Sequence, residues 1–181
     1  GFRILAFDSG LEEMPHLALV SDSFKKDGVD PVSVRIHSEC MTGDVLRSSR
    51  CDCGEQLAFS MALLHKSGGV LIYLRQEGRG IGLVEKLKAY NLQDTGQDTY
   101  EANVNLGHPE DGRTFEPAIA IIRHLEIHKI KVLTNNPEKV RAFDDLEDID
   151  VVERVSLQVG SDPENIEYLE AKKIVKGHFF S

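Results

Sequence analysis

RIHSECMTGDVLRSSRCDCGEQL, residues 35–57, contains every cysteine of the 181-residue chain, and the rest of the sequence reads as arranged around it. Cys40, Cys51 and Cys53 follow the pattern C, ten residues, C, one residue, C. Core packing does not explain this, because buried cysteines have no reason to cluster in sequence. Soft thiolates select zinc, copper(I) or iron-sulfur clusters. A tetrahedral zinc with three protein ligands keeps its fourth position open, as catalytic zinc sites do. Two other readings stand beside this one. A disulfide would use two cysteines and orphan the third, and nothing in the sequence indicates an oxidising compartment. A closed structural zinc would need a fourth ligand, and His37 lies three residues before Cys40. Spacing alone does not separate an open site from a closed one.

The flanks of this stretch set the fold. Before it, VSVRIH (32–37) reads as a strand that delivers Arg35, His37 and Glu39 to the lip of the cysteine loop. After it, Leu57, Met61 and Leu64 recur at i, i+4 and i+7, a helix stripe that Gly68 and Gly69 terminate. VLIYL (70–74) is continuously apolar and reads as a buried strand. A strand, helix and strand in this order predict parallel pairing. Further out, FRILAF (2–7) and HLALV (16–20) are short strands between turn-forming residues. Ala118, Ile121, Ile122 and Leu125 form a core helix stripe, and Ile130 to Leu133 another strand. Asn136 is placed as an N-cap with Pro137 first in the helix, which puts Lys139 in the first turn. Lys has the wrong sign for that end of a helix dipole, which suggests a shared anion; a solvated Lys is the plainer alternative. Val151 to Leu157 reads as the last strand and Pro163 to Lys176 as a charged peripheral helix. The expected fold is a single α/β domain over residues 1–181, with a mixed, partly parallel sheet and flanking helices.

Between these elements lie two loops with chemistry. RQEGRGIGL (75–83) runs a strand into closely spaced glycines and two arginines, but Leu83 stands where GxGxxG needs its third glycine, so it is no dinucleotide fingerprint. It can still present N–H groups and guanidinium forks to phosphate or to a base edge, unless it is a plain tight turn. Leu83, Leu87 and Tyr90 then continue as a helix face expected to be mostly core. QDTGQDTYEANVNLGHPEDGRTF (93–115) is polar, and so long an irregular segment is usually functional or mobile. Asp111 and Arg113 at its end could reach one ligand together, or simply hold the loop.

Composition bounds the rest. A 20.2 kDa chain with 41% hydrophobic residues can bury one sizeable core. A net charge of -9 without a Lys/Arg run argues against a nucleic-acid partner. No window is long and apolar enough to span a bilayer and no secretory signal is visible, so a cytoplasmic protein without membrane association is expected. Gly1 stands where an initiator Met would be, so the chain is expected to continue a longer one.

HSECMTGD, RCDCGEQL, RQEGRGIGL, LKAYNLQD, ANVNLGHPEDGR and LTNNPEKV are together very specific. From about Val32 onward the chain that carries them resembles GTP cyclohydrolase II, the zinc hydrolase that commits GTP to riboflavin biosynthesis. The wording of LKAYNLQD and LGHPEDGR looks more like the stand-alone fungal enzymes. The usual residues before the first strand are missing, and no fused dihydroxybutanone phosphate synthase domain is seen; neither departure touches the site. The resemblance implies zinc ligation by Cys40, Cys51 and Cys53. It further implies GTP contacts from Arg35, Ile36, His37, Ser38 and Glu39 on the strand end. Gln56, Glu77, Gly78, Arg79, Thr99, Thr134 and Lys139 would add to them. Asp111 is similar to the family's proton acceptor, Arg113 to its assigned nucleophile toward the α-phosphate, and Tyr90 to a tyrosine implicated in the chemistry. A homodimer is implied by the resemblance alone.

The family's reaction opens the guanine imidazole ring at C8, loses formate and releases pyrophosphate, with magnesium expected to bridge the triphosphate oxygens. Three thiolates around a divalent cation leave excess negative charge, so the metal acidifies water less than one held by neutral histidines. A nearby base becomes more necessary, and Asp111 is the family's candidate. Glu77 could instead read the guanine edge, whose N1–H and amino group suit a carboxylate. Clamping phosphate is the ordinary work of a guanidinium, whereas attack on phosphorus by Arg113 is chemically demanding. Arg79 and Lys139 would share in neutralising the triphosphate. Two other classes remain open: a relative that performs only part of the reaction, and a non-catalytic zinc-containing module that binds nucleotides.

Overall fold

The computed structural model describes residues 1–8, 10, 14–26, 30–157 and 159, without the side chains of Thr99 and Tyr100. The helix expected over Pro163–Lys176 lies outside the described residues.

The sheet is built from β1 (Phe2–Phe7), β2 (His16–Ser21), β3 (Val32–Ser38), β4 (Val70–Leu74), β5 (Lys129–Leu133) and β6 (Asp150–Val155). Their spatial order is β1-β2-β4-β3-β5-β6. β3 pairs in parallel with both β4 and β5, and β5 in parallel with β6, while β2 runs antiparallel to β4 and β1 antiparallel to β2. The sheet is therefore mixed and mostly parallel, as the strand-helix-strand pattern predicts.

Helices cover both faces. α2 (Cys53–Ser67) packs Leu64 against Leu71, Leu133 and Leu157 on one side. On the other, Ala118, Ile121 and Ile122 of α5 (Glu116–His124), with Leu125 at its end, meet Val34, Ile36, Ile72, Ile130 and Val132. This two-sided cover is why VLIYL lacks polar alternation: successive side chains of β4 point to opposite faces and both are apolar. Val70, Leu71, Ile72 and Leu74 are fully excluded from solvent, each worth about 1.5–3 kcal/mol relative to exposure.

Two local expectations are corrected. The polar segment 93–115 is not irregular throughout, because α4 (Thr99–Asn105) forms inside it. Asp98 Oδ1 accepts the Glu101 backbone N–H at 2.9 Å and Glu101 Oε2 accepts that of Asp98 at 3.3 Å, a reciprocal cap that starts the helix. The face Leu83–Leu87–Tyr90 of α3 (Gly82–Gln93) is not core: Leu87 is 45% exposed, and the buried residue of this helix is Ala89. α3 packs against α4 and the 3-10 turn Glu77–Gly80 and leaves the sheet face to α5, so its apolar stripe has no sheet to meet.

The topology places the site. The chain leaves β3 toward β4 on one side and returns to β5 on the other, so β3 is where the winding reverses. In open α/β sheets ligands bind outside the carboxyl ends of the strands at such a point. The carboxyl ends of β3, β4 and β5 all open into one cleft, lined by Glu39, Gln76 and Thr134 among others.

Candidate active site

Cys40 follows the end of β3, and a short helix α1 (Met41–Asp44) turns back over it. Asp44, its side chain only 3% exposed, holds that turn. Its carboxylate accepts the Cys40 backbone N–H at 3.0 Å and the Tyr73 hydroxyl at 2.9 Å, and lies 3.0 Å from His37 Nε2. Cys51 and Cys53 reach the same point from the start of α2. All three thiols are free, their sulfur atoms lie within 4.8 Å of one another, and Cys40 Sγ is 3.7 Å from Cys51 Sγ. A tetrahedral zinc with Zn–S bonds of about 2.3 Å spaces its sulfurs about 3.8 Å apart, whereas a disulfide needs about 2 Å. The group therefore fits one metal ion and is compatible with zinc. His37 is not part of it: Nε2 is spent on Asp44, Nδ1 lies 3.4 Å from Arg35 Nη2, and burial pulls the ring's pKa down. A closed site completed by His37 is not what this chain builds.

Electrostatics favour the same reading. Hydrogen bonds from Cys51 and Cys53 push Cys40 far below the ordinary thiol range, while Cys40 in turn pushes Cys51 up to about 11 and Cys53 well above the ordinary thiol range. Thiols so crowded cannot all ionise unless a cation sits among them. Gly43 allows the crowding: a Cβ there would stand 2.8 Å from Cys51 Sγ and 3.2 Å from Cys40 Sγ. Gly43→Ala is therefore expected to keep all three thiols yet bind metal at least about tenfold more weakly. Chelator competition on the folded variant checks this, and wild-type affinity would refute it.

Cations line the cleft floor. Arg35, 4% exposed, donates from Nη1 to the Leu133 carbonyl at 3.0 Å and from Nη2 to Gln56 Oε1 at 2.7 Å. Burial draws its pKa down to about 10, so it stays charged near neutrality. Gln56 Nε2 donates in turn to Asp52 Oδ2. Lys139 sits in α6 (Pro137–Arg141), capped by the Asn136 side chain, which accepts the Glu138 N–H at 2.8 Å. Its ammonium is not solvated: it donates to the Ile36 carbonyl at 2.8 Å and lines the cleft.

The turn Glu77–Gly80 forms the opposite lip. Gly78 and Arg79 both adopt left-handed backbone, at φ 62° and 60°, which aims Arg79 into the cleft. The Gly112 N–H donates to the Arg79 carbonyl at 3.0 Å and ties this lip to the loop of Asp111 and Arg113. Arg113 donates to Asp111 from Nε at 2.9 Å, from Nη2 at 2.5 Å and from its backbone N–H at 3.1 Å. Burial raises the Asp111 pKa, but this paired guanidinium outweighs it and holds the carboxyl below its usual range. Both Glu77 oxygens are also taken, Oε2 by the Met41 N–H at 2.6 Å and Oε1 by Lys86 Nζ at 2.7 Å and the Gly78 N–H at 2.8 Å. As folded, Glu77 ties two loops together through both of its oxygens.

Most of the expected site residues therefore share this one cleft, including Arg35, His37, Ser38, Glu39, Gln56, Gly78, Tyr90 and Thr134. Ile36 is buried beneath it and contributes its carbonyl. Asp111 lies in a neighbouring depression with Glu138 and Arg141, joined to the cleft through Arg113. Thr99 begins α4, and its side chain is outside the described residues. Sequence reading missed Lys86, Gln76, Asn103 and Asn135, which also line the cleft, and Asp44 behind it. For Lys86 a signal existed, since it precedes Tyr90 by four residues and must share its helix face.

A family model described as GTP cyclohydrolase II matches residues 1–156. The chain is similar to a GTP cyclohydrolase-2 of Neisseria meningitidis serogroup C, 51% identical over 176 residues, covering 95% of this chain and 88% of the relative. It is 44% identical over 180 residues to the GTP cyclohydrolase-2 of Acinetobacter baumannii, covering 99% of this chain and 89% of the relative. It is also 46% identical over 181 residues to the riboflavin biosynthesis protein RibBA of Chlorobium phaeovibrioides, covering 99% of this chain and 43% of that longer relative. Among the described residues no helix is long and apolar enough to cross a membrane.

Proposed function

This chain belongs to the GTP cyclohydrolase II family, and from that premise we propose that its cleft binds GTP and hydrolyses it at both ends. At the guanine end one water opens the imidazole ring at C8 and a second releases formate from the formamide so formed; at the triphosphate end a third water releases pyrophosphate. The product is a diaminopyrimidinone ribosylamine phosphate that enters riboflavin biosynthesis. The observation that carries this reading is the joining of three free sulfurs at metal-binding spacing to a cleft floored by buried Arg35 and Lys139. That combination suits a ligand with one end to be hydrolysed at carbon and another rich in negative charge. Cys40, Cys51 and Cys53 would hold one zinc, which when bound supplies Lewis acidity for activating water at neutral pH.

The chain's own residues do the rest. Arg79, Arg113 and Lys139 would neutralise the triphosphate, and a magnesium ion bound with it would share that charge. Arg35, itself pinned by Leu133 and Gln56, keeps a fixed charge at the cleft floor and costs no reorganisation when substrate arrives. Tyr90 keeps its hydroxyl proton, because burial raises its pKa, and stands 3.3 Å from Thr42 Oγ1 beside the thiolates as a hydrogen-bond donor. Asp111 is the proton acceptor in this reading. Its carboxylate is ionised but saturated by Arg113, so it accepts a proton only after the guanidinium turns toward phosphate. Assembly as a cytoplasmic homodimer completes the proposal.

Incubation with GTP, zinc and magnesium, followed by mass spectrometry, is expected to yield formate, pyrophosphate and the ring-opened monophosphate. A ring-opened product that retains formate or the triphosphate would assign a partial reaction. GTP bound but unchanged would assign a binding module.

A further inference from the structure

Lys86 belongs to α3, on the helix face that closes the cleft. Its Nζ donates to Cys40 Sγ at 3.2 Å, to Thr42 Oγ1 at 2.9 Å and to Glu77 Oε1 at 2.7 Å. An ammonium has three protons, and here each has an acceptor. The side chain is 12% exposed and that of Glu77 9%, so this is a fixed internal charge, unlike a solvated lysine that brushes a sulfur. Arg35 also faces Cys53 electrostatically, but its hydrogen bonds go to Leu133, Gln56 and His37.

We propose that Lys86 is a positioning residue of the metal site, which holds the Cys40 thiolate, offsets its charge and ties it to the Glu77–Gly80 lip. The inference rests on the zinc reading above. Three thiolates overcharge a divalent cation. An N–H···S bond withdraws electron density from one of them, and a positive charge beside the group favours the charged metal complex over protonated thiols. Groups that orient metal ligands from outside the coordination shell are commonly worth about 10–100-fold in metal affinity. Glu77 carries the link onward, because it accepts the Met41 N–H of the cysteine loop and the Gly78 N–H of the lip as well as the ammonium. Arg79, next to Gly78, faces the same cleft, so metal loading and the placement of a phosphate-binding guanidinium are coupled through one ammonium.

The test reads the metal and needs no turnover. Full-length protein is loaded with cobalt(II), whose thiolate charge-transfer absorption reports electron density on sulfur, and zinc affinity is measured by chelator competition. Lys86→Met keeps the unbranched stem and removes the charge. It is expected to move the charge-transfer band to lower energy and to weaken zinc binding about 10–100-fold. Lys86→Arg, which restores a cation, should recover most of both. Lys86→Gln removes the charge but keeps an N–H donor and should shift the band by less in the same direction; it serves as the test if Lys86→Met does not fold. An unchanged band with zinc affinity within about twofold of wild type, in Lys86→Met or in this substitute, overturns the inference. Wild-type protein that binds neither cobalt nor zinc stoichiometrically sinks the zinc reading itself, a separate result.

Discussion

Cys51→Ser protein is expected to fold, to carry no stoichiometric zinc and to release formate at about one thousandth of the wild-type rate or less. The alcohol of serine stays protonated near neutrality and is a hard, weak ligand where a soft thiolate is required. The two remaining sulfurs, Cys40 and Cys53, would have to retain the ion against water alone. Lewis-acid catalysis supplies several kcal/mol, and about 4 kcal/mol is about a thousandfold in rate. Pyrophosphate release should survive in part, because Arg79, Arg113 and Lys139 come from other elements than the cysteine loop. Elemental analysis together with separate assays for formate and pyrophosphate checks both halves. Stoichiometric zinc in the variant would refute the assignment of Cys51. Equal loss of both products from folded protein would mean instead that ring opening and phosphate cleavage depend on one another.

Arg113→Ala and Arg113→Lys are both expected to lose pyrophosphate release severely, to below about one hundredth of wild type. Hydrogen bonds to charged groups are worth about 1.5–3 kcal/mol each, and alanine removes a two-pronged donor. Lysine keeps a point charge but cannot reproduce the fork that spans Oδ1 and Oδ2 of Asp111, so it misplaces the carboxylate as well as the phosphate contact. A clamp that only offset phosphate charge, with no part in placing Asp111, would leave Arg113→Lys partly active and well above Arg113→Ala. A nucleophile leaves both inactive and predicts, in wild-type enzyme quenched during turnover, a covalent nucleotidyl mass on the chain. Substantial pyrophosphate release by Arg113→Ala would exclude an obligatory nucleophilic role. The pairing with Asp111 adds a side effect: without the guanidinium its carboxyl pKa should rise toward the ordinary value, moving the acid limb of activity upward.

The elements most legible in the sequence are those whose signal is local and repetitive. VLIYL is apolar at every position because both faces of β4 are covered, and the Ala118–Leu125 stripe is helical because one side meets the sheet. Asn136 and Pro137 start α6 as their chemistry demands. What misled was an apolar stripe with no partner. Leu83, Leu87 and Tyr90 have helical spacing, but spacing does not say what the helix packs against, and α3 lies away from the sheet. The reverse error hid α4, whose short polar turns carry no stripe and whose only signal was Asp98 and Glu101 three apart.

By itself the sequence determined that three thiols would act as one group, since thirteen chain steps or fewer cannot keep them far apart once the strand and helix beside them form. It determined the parallel winding too, because a buried strand after a helix has few places to go. Tertiary structure alone decided that His37 serves Asp44 and not the metal, that both Glu77 oxygens are engaged, and that Lys86 reaches Cys40 from forty-six residues away. Such matters depend on which buried donor finds which acceptor. Those partners are set by the distances between the ends of β3, β4 and β5 and the helices over them, and no local pattern of residues encodes such distances.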